Sequence, residues 1–340
     1  TAAAHVTEQR PDTPSVVERT RPVAAGAAVV AVHFLGTTAA FVLGEETLLL
    51  VGKDGAERRV AVHGGAILAS ASDGGRVITG GDDGKLSATD ANGDSQVLAA
   101  DEKHRWIDHV AVGPNGVLAW SAGKQAFART AKGAQHVLDA PSTVGGLAFA
   151  PKGFRLAIAH YNGATLWYPN ARDAPPEKLE WKGSHLGARV SPDGKFLVTT
   201  MQEPTLHGWR LGDRKDMRMS GYGARVRSLG WSADGKWLAT SGSTQLILWP
   251  FQGNDGPMGK TPRLLAPTEA QVEVIACHPK QEVVAVGYAD GLILMVRIED
   301  GAEVLARKPA AAPVTALGWS AAGNMLAFGT EDGEAGVIDL

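Results

Sequence analysis

The 340-residue chain has a single cysteine, Cys277. That excludes an internal disulfide framework and fits a reducing compartment, so the expected location is cytoplasmic. No apolar run approaches the roughly 18–20 residues a membrane helix needs. Charge of one sign is also missing: the net charge of −3 gives no polyanion-binding signature, and nucleic acid is not an expected ligand. HExxH, CxxC, P-loop and GxSxG motifs are all absent, and each absence removes a catalytic mechanism. No stretch sustains a 3.6-residue apolar period, and 42 glycines would weaken helices throughout. The opening "TAAAHVTEQRPDTPSVVERTRP" lacks the basic-then-apolar build of a secretory signal and does not begin with Met, which leaves a cleaved export signal open.

What the chain does have is apolar content, 44% of residues, arranged in a repeat. "VRSLGWSADGKWLATSG" (226–242) alternates apolar residues up to Trp231, turns through Gly235 and alternates again from Trp237. Comparable stretches begin at Val29, Ala66, Ile107, Val144, His185, Val226, Val272 and Val314, which makes eight copies 37 to 46 residues apart. Each reads as two short strands joined by a turn of Gly, Asn, Asp or Pro, residues that tolerate or pre-set turn dihedrals. A third apolar segment follows each pair, such as "TLLLV" or "QLILWPF", and seven copies add a more polar fourth, such as "ERRVAVH" or "AEVLARK". Polarity rising from first strand to last predicts a sheet buried at one edge and wet at the other.

The eighth copy reaches Leu340 without a fourth segment. "VVERTRPVAAGAAVVAVHF" parallels "AEVLARKPAAAPVTALGW", so residues near Val16–Val23 are predicted to pair beside the strand ending at Leu340. The expected fold is all-β: a closed β-propeller of four-stranded antiparallel blades, eight in number with seven as the alternative. The N-terminal strand would complete the last blade, with 1–15 a tail and 16–340 one domain.

The period near 41, four strands per unit and the S-x-D-G-K turn resemble the WD-repeat family over nearly the whole chain. "GWSADGKWLATSG" (230–242), "VSPDGKFLVTT" (190–200), "GWSAAGNMLAFGTEDG" (318–333) and Trp167, Trp209 and Trp249 carry the likeness. The family's Trp-Asp pair is mostly replaced by "WY", "WR" and "WP", with the aspartate kept only in Thr89-Asp90 and Ile338-Asp339. Its Gly-His before the first strand is degraded, although His63, His104 and His185 sit in comparable loops. The Asp-His-Ser-Trp network of model repeats is therefore not expected in full.

Candidate chemistry is thin. "SAGK" at Ser121–Lys124 matches SxxK without its supporting motifs, and "DANGDSQ" at Asp90–Gln96 lacks the Gly and Glu of a calcium loop. Ten histidines do not cluster at metal-ligand spacing. No cofactor, metal or catalytic residue is expected. The resemblance implies a non-catalytic scaffold that docks another protein or peptide on one rim and is monomeric on its own. Small-molecule- or metal-dependent activity in the central channel is the alternative. By alignment the docking rim carries Arg105, Trp106, His160, Tyr161, His185, Met201, Tyr222, Arg225, Arg227 and Tyr288. Residues 209–227 hold six basic against two acidic side chains, which suits a partner segment with acidic residues.

Overall fold

In the first copy, Val29–Leu35 turns at Gly36 into Thr38–Leu43, and Thr47–Val51 and Glu57–Ala61 follow, each strand antiparallel to the one before. Gly36 holds φ +61°, the left-handed conformation such a short loop needs. In the computed structural model, which describes Arg10 and residues 12–340, the same meander recurs around the chain. Six sheets have four strands and one has six.

Seven sheets is the lower of the two counts the sequence allows, and the reason is local. Leu156–Trp167 carries the second and third segments of the fourth copy as one long strand. Glu177–Val190 then supplies the last strand of the fourth copy and the first strand of the fifth. Tyr161 pairs with Ser184 on one side of this element, while His185 pairs with Met201 on the other. Gly183 takes a positive φ of +110° within this strand, which runs unbroken from one copy to the next, so eight copies occupy seven sheets.

Burial does not simply fall from first strand to last, as polarity predicts. Thr38–Leu43 and Thr47–Val51 are almost wholly buried and Glu57–Ala61 is mostly exposed, but first strands such as Ile67–Ser72 are only half-buried. The inner strands face a cavity of about 520 Å³, lined by first-strand residues of the first six copies. The driest layers are therefore the middle strands, which pack between neighbouring sheets. One such layer joins Val29, Phe41 and Leu49 to Met325, Ala327 and Val337, and so links the first copy to the last.

Hydrogen bonds between neighbouring inner strands tighten the ring. His33 Nε2 meets Ser70 Oγ at 2.8 Å, the Ile275 amide donates to Ser228 Oγ at 3.0 Å, and Trp319 Nε1 donates to the Ala276 carbonyl at 2.9 Å. Thr315 Oγ1 donates to the Val29 carbonyl at 2.5 Å, which ties the eighth copy to the first. Gly329 belongs to the same seam: a Cβ there would lie 2.3 Å from Val29 Cβ.

The chain ends share a sheet, as expected. Thr20–Ala24 pairs antiparallel with Glu334–Asp339, from Thr20 opposite Ile338 to Ala24 opposite Glu334, and Arg21 grips Asp339 with bonds of 2.8 and 3.2 Å. The predicted pairing range near Val16–Val23 is shifted. Val16 instead donates to the Leu305 carbonyl, and Val17–Arg19 forms a 3₁₀ turn that leads into the closing strand. Part of the predicted tail is also seated: Ser15 bridges Leu305 in parallel, and Arg10 reaches Glu303 at 2.5 Å. Among the described residues, no helix is long and apolar enough to cross a membrane.

Candidate interaction face and channel

The start of each first strand pairs with the end of the second: Val29 opposite Leu43, Ile67 opposite Gly81, Val272 opposite Tyr288. Entry loops and second-to-third-strand turns therefore share one face. Near this end the register slips between Val29 and Ala31, Ile67 and Ala69, and His185 and Gly187. Each bulge re-aims its extra residue, and Val30, Leu68 and Leu186 line the cavity as a result. Val30 and Leu68 stay 49% and 36% exposed, and rim prediction missed both. Their signal was an apolar residue at the second place of a first strand, indistinguishable from core without the bulge.

The ten predicted rim residues divide into two groups. Trp106 and Tyr161 are 63% and 59% exposed, Arg227 is exposed, and Arg105 and Arg225 are half-buried. Arg105 is tied down: it bonds both oxygens of Asp101, at 2.8 and 3.1 Å, and Gln125 at 2.8 Å. His160, His185, Met201, Tyr222 and Tyr288 are buried, which corrects their placement as exposed rim groups. Alignment located their loop ends properly, but the side chains turn inward: His160, His185, Tyr222 and Tyr288 hydrogen-bond within the interior, and Met201 packs there as an apolar group.

Those inward groups are the remnants of the repeat network. His63 bonds Asp83 at 3.0 Å and Thr79 at 2.8 Å, a nearly complete version. His185 bonds Thr199 at 2.7 Å, and His160 bonds Thr165 at 2.8 Å. Burial lowers the pKa of both His160 and His185, which favours their neutral, hydrogen-bonded forms. In the sixth copy Tyr222 takes the histidine's place. Trp249 Nε1 donates to its hydroxyl at 2.8 Å, the hydroxyl meets Thr240 Oγ1 at 2.7 Å, and Thr240 donates to the Ile247 carbonyl at 2.9 Å. Tyr288 donates to the Ala266 carbonyl at 2.7 Å.

The cavity wall carries Asp108, Arg189, Arg225 and Arg227. Asp108 accepts from Ser121 Oγ at 3.0 Å, which gives the serine of "SAGK" a structural bond. Arg225 has its pKa lowered by loss of solvent and then by Arg227. Burial lowers the pKa of His109 against the pull of Asp108. Asp90 accepts from the amides of Asn92 and Asp94, an ordinary Asx turn. Cys277 is largely enclosed, and burial pushes its thiol up to about 12. Among the described residues, no three His, Cys, Asp or Glu side chains gather so as to hold a metal.

Two family models match parts of the chain. Residues 275–340 match the WD40 domain of anaphase-promoting complex subunit 4, and residues 215–250 match the WD domain, G-beta repeat. No match was found among curated proteins. Among solved structures, the crystal structure of the computationally designed Ika8 protein is similar at a TM-score of 0.73 and 18% identity, over 93% of this chain and 97% of that one. At that identity the likeness speaks to the fold alone.

Proposed function

From a WD40-repeat propeller, which the two repeat matches and the closed ring of antiparallel sheets support, we propose a scaffold that docks a partner protein on the face around the channel mouth. Propellers of this kind generally serve as protein-interaction scaffolds. The observation that carries the reading is that Trp106, Tyr161, Val30 and Leu68 are exposed and all fall at entry loops or strand ends of this face. Large aromatics with a polar handle dominate binding energy at interfaces, because they bury much area at little entropic cost. Arg225 and Arg227 line the same cavity as Val30 and Leu68, without a carboxylate partner among the described residues, so an acidic residue in the bound segment finds its complement there. The protein acts as a monomer in the cytoplasm in this reading, and the partner supplies any chemistry.

The test compares captures from native lysate by the intact protein, by a Trp106→Ala/Arg227→Glu variant and by a Val137→Asp variant on the outer edge. The intact protein and the edge variant should retain the same partner, and the face variant should lose it. Equal capture by all three removes the face from consideration.

A further inference from the structure

The channel has a charge that neither the repeat nor its packing calls for. Three arginines, Arg189, Arg225 and Arg227, line it against one carboxylate, Asp108, whereas the whole chain carries −3. Elsewhere several arginines sit on carboxylates, as Arg21 does on Asp339, Arg105 on Asp101, Arg297 on Asp300 and Arg307 on Glu334, and others on backbone carbonyls, as Arg59 and Arg129 do. None of the three channel arginines has such a partner among the described residues. Arg189 gives one N–H to its neighbouring Ala188 carbonyl at 2.8 Å, so most of its donors remain free. Arg225 keeps its Nε buried with no hydrogen-bond partner.

Arg189 is also out of pattern. Aligned by ladder register, its place in the other first strands holds His33, Ala71, Ala111, Ala148, Gly230, Ala276 and Gly318. Six of those seven are small, because the place is crowded by the next sheet. At Gly230, for example, a Cβ would come within 3.3 Å of Ile275. A long cation is not what packing selects there, and it reaches into the cavity.

We propose that the channel is a binding site for a small, doubly charged oxyanion of the phosphate type, held chiefly by Arg189 with Arg225 and Arg227 on the mouth side. The lining excess is two positive charges, which a dianion neutralises. A guanidinium fork presents two parallel donors to two oxygens of one ligand. A positive, low-dielectric channel concentrates anions even on a protein of negative net charge. This inference goes beyond the docking face: it shares Arg225 and Arg227 with that face but is centred on Arg189, which the docking reading does not use.

Calorimetric titration with sodium phosphate at constant ionic strength tests it, with sulfate and acetate titrated alongside. Saturable one-to-one binding is expected for phosphate and sulfate, and weaker binding for acetate. Arg189→Gln should weaken phosphate by about tenfold or more, as loss of a charge-assisted pair does, and Arg189→Lys by less. Trp106→Ala should leave phosphate binding untouched while it reduces partner capture, which separates this site from the docking face. If Arg189→Gln loses its native circular dichroism, Arg225→Gln carries the test and should weaken binding several-fold. No saturable heat with the native protein overturns the proposal, as does phosphate affinity unchanged in the folded variants.

Discussion

Closure of the ring is the feature whose removal has the most calculable effect. Deleting residues 1–27 strips the ladder partner from Glu334–Asp339 and removes the Arg21–Asp339 pair. It also removes the backbone bonds from Val16 to Leu305, from Leu305 to Pro14 and from Ala25 to Gly333. The ladder lacks one donor at Pro22, which leaves on the order of four bonds at about 1 kcal/mol net each. Val23, at 5% exposure, adds roughly 1.5–3 kcal/mol of apolar burial. The Arg21 pair adds little, since both side chains are partly in water. With the three further backbone bonds at about 1 kcal/mol each, the sum is about 8–10 kcal/mol, an upper value because the unfolded chain is not fully extended. At roughly 2 °C per kcal/mol for a large domain, the melting temperature should fall by up to about 16–20 °C. Thermal unfolding followed by circular dichroism measures this, and a peptide of residues 13–27 added in trans should restore part of the loss by mass action. A melting curve shifted by less than about 2 °C would refute the argument that the ends close the ring.

Three further perturbations address the interior. Gly329→Ala forces a methyl against Val29 at the eighth-to-first seam and should cost about 1–3 kcal/mol in urea unfolding; an unchanged midpoint means the seam is looser than described. Tyr222→Phe orphans the Trp249 indole N–H and should destabilise by about 1–3 kcal/mol, and a neutral result would mean the indole finds another acceptor. His33 is held neutral by burial, with its pKa lowered to about 4 from 6.5. Below pH 6.5 the unfolded chain therefore takes up a proton that the folded one refuses, and stability declines from pH 6.5 down to about 4. His33→Gln should flatten that decline by close to one proton, and an identical slope would place the titration elsewhere.

Much of the fold was legible because it rests on patterns the chain repeats. Alternation, turn glycines and the unpaired last copy were enough to predict antiparallel meanders, a closed ring and a shared terminal sheet. The sheet count was not, because it depends on whether the chain between the fourth and fifth copies loops out or runs on as one strand, which the apolar pattern does not distinguish. The closing strand was placed a few residues early for a related reason. "SVVERTRPV" offers two apolar stretches to the same edge, and the 3₁₀ turn at Val17–Arg19 diverts the first of them to Leu305.

The face was half legible. Loop position follows from the repeat, but side-chain direction does not, and a histidine or tyrosine at a strand end turns outward only if the sheet offers it no partner. Thr79, Thr165, Thr199 and Thr240 all offer one, so His63, His160, His185 and Tyr222 go inward. Trp106 and Tyr161 lack such an anchor for their rings and remain outside. The same logic bears on Arg189: in a place where six of the seven other copies hold alanine or glycine, it finds no carboxylate among the described residues and lines the channel. Residues that break the repeat without finding a partner in it are thus the ones most free to serve something outside the chain.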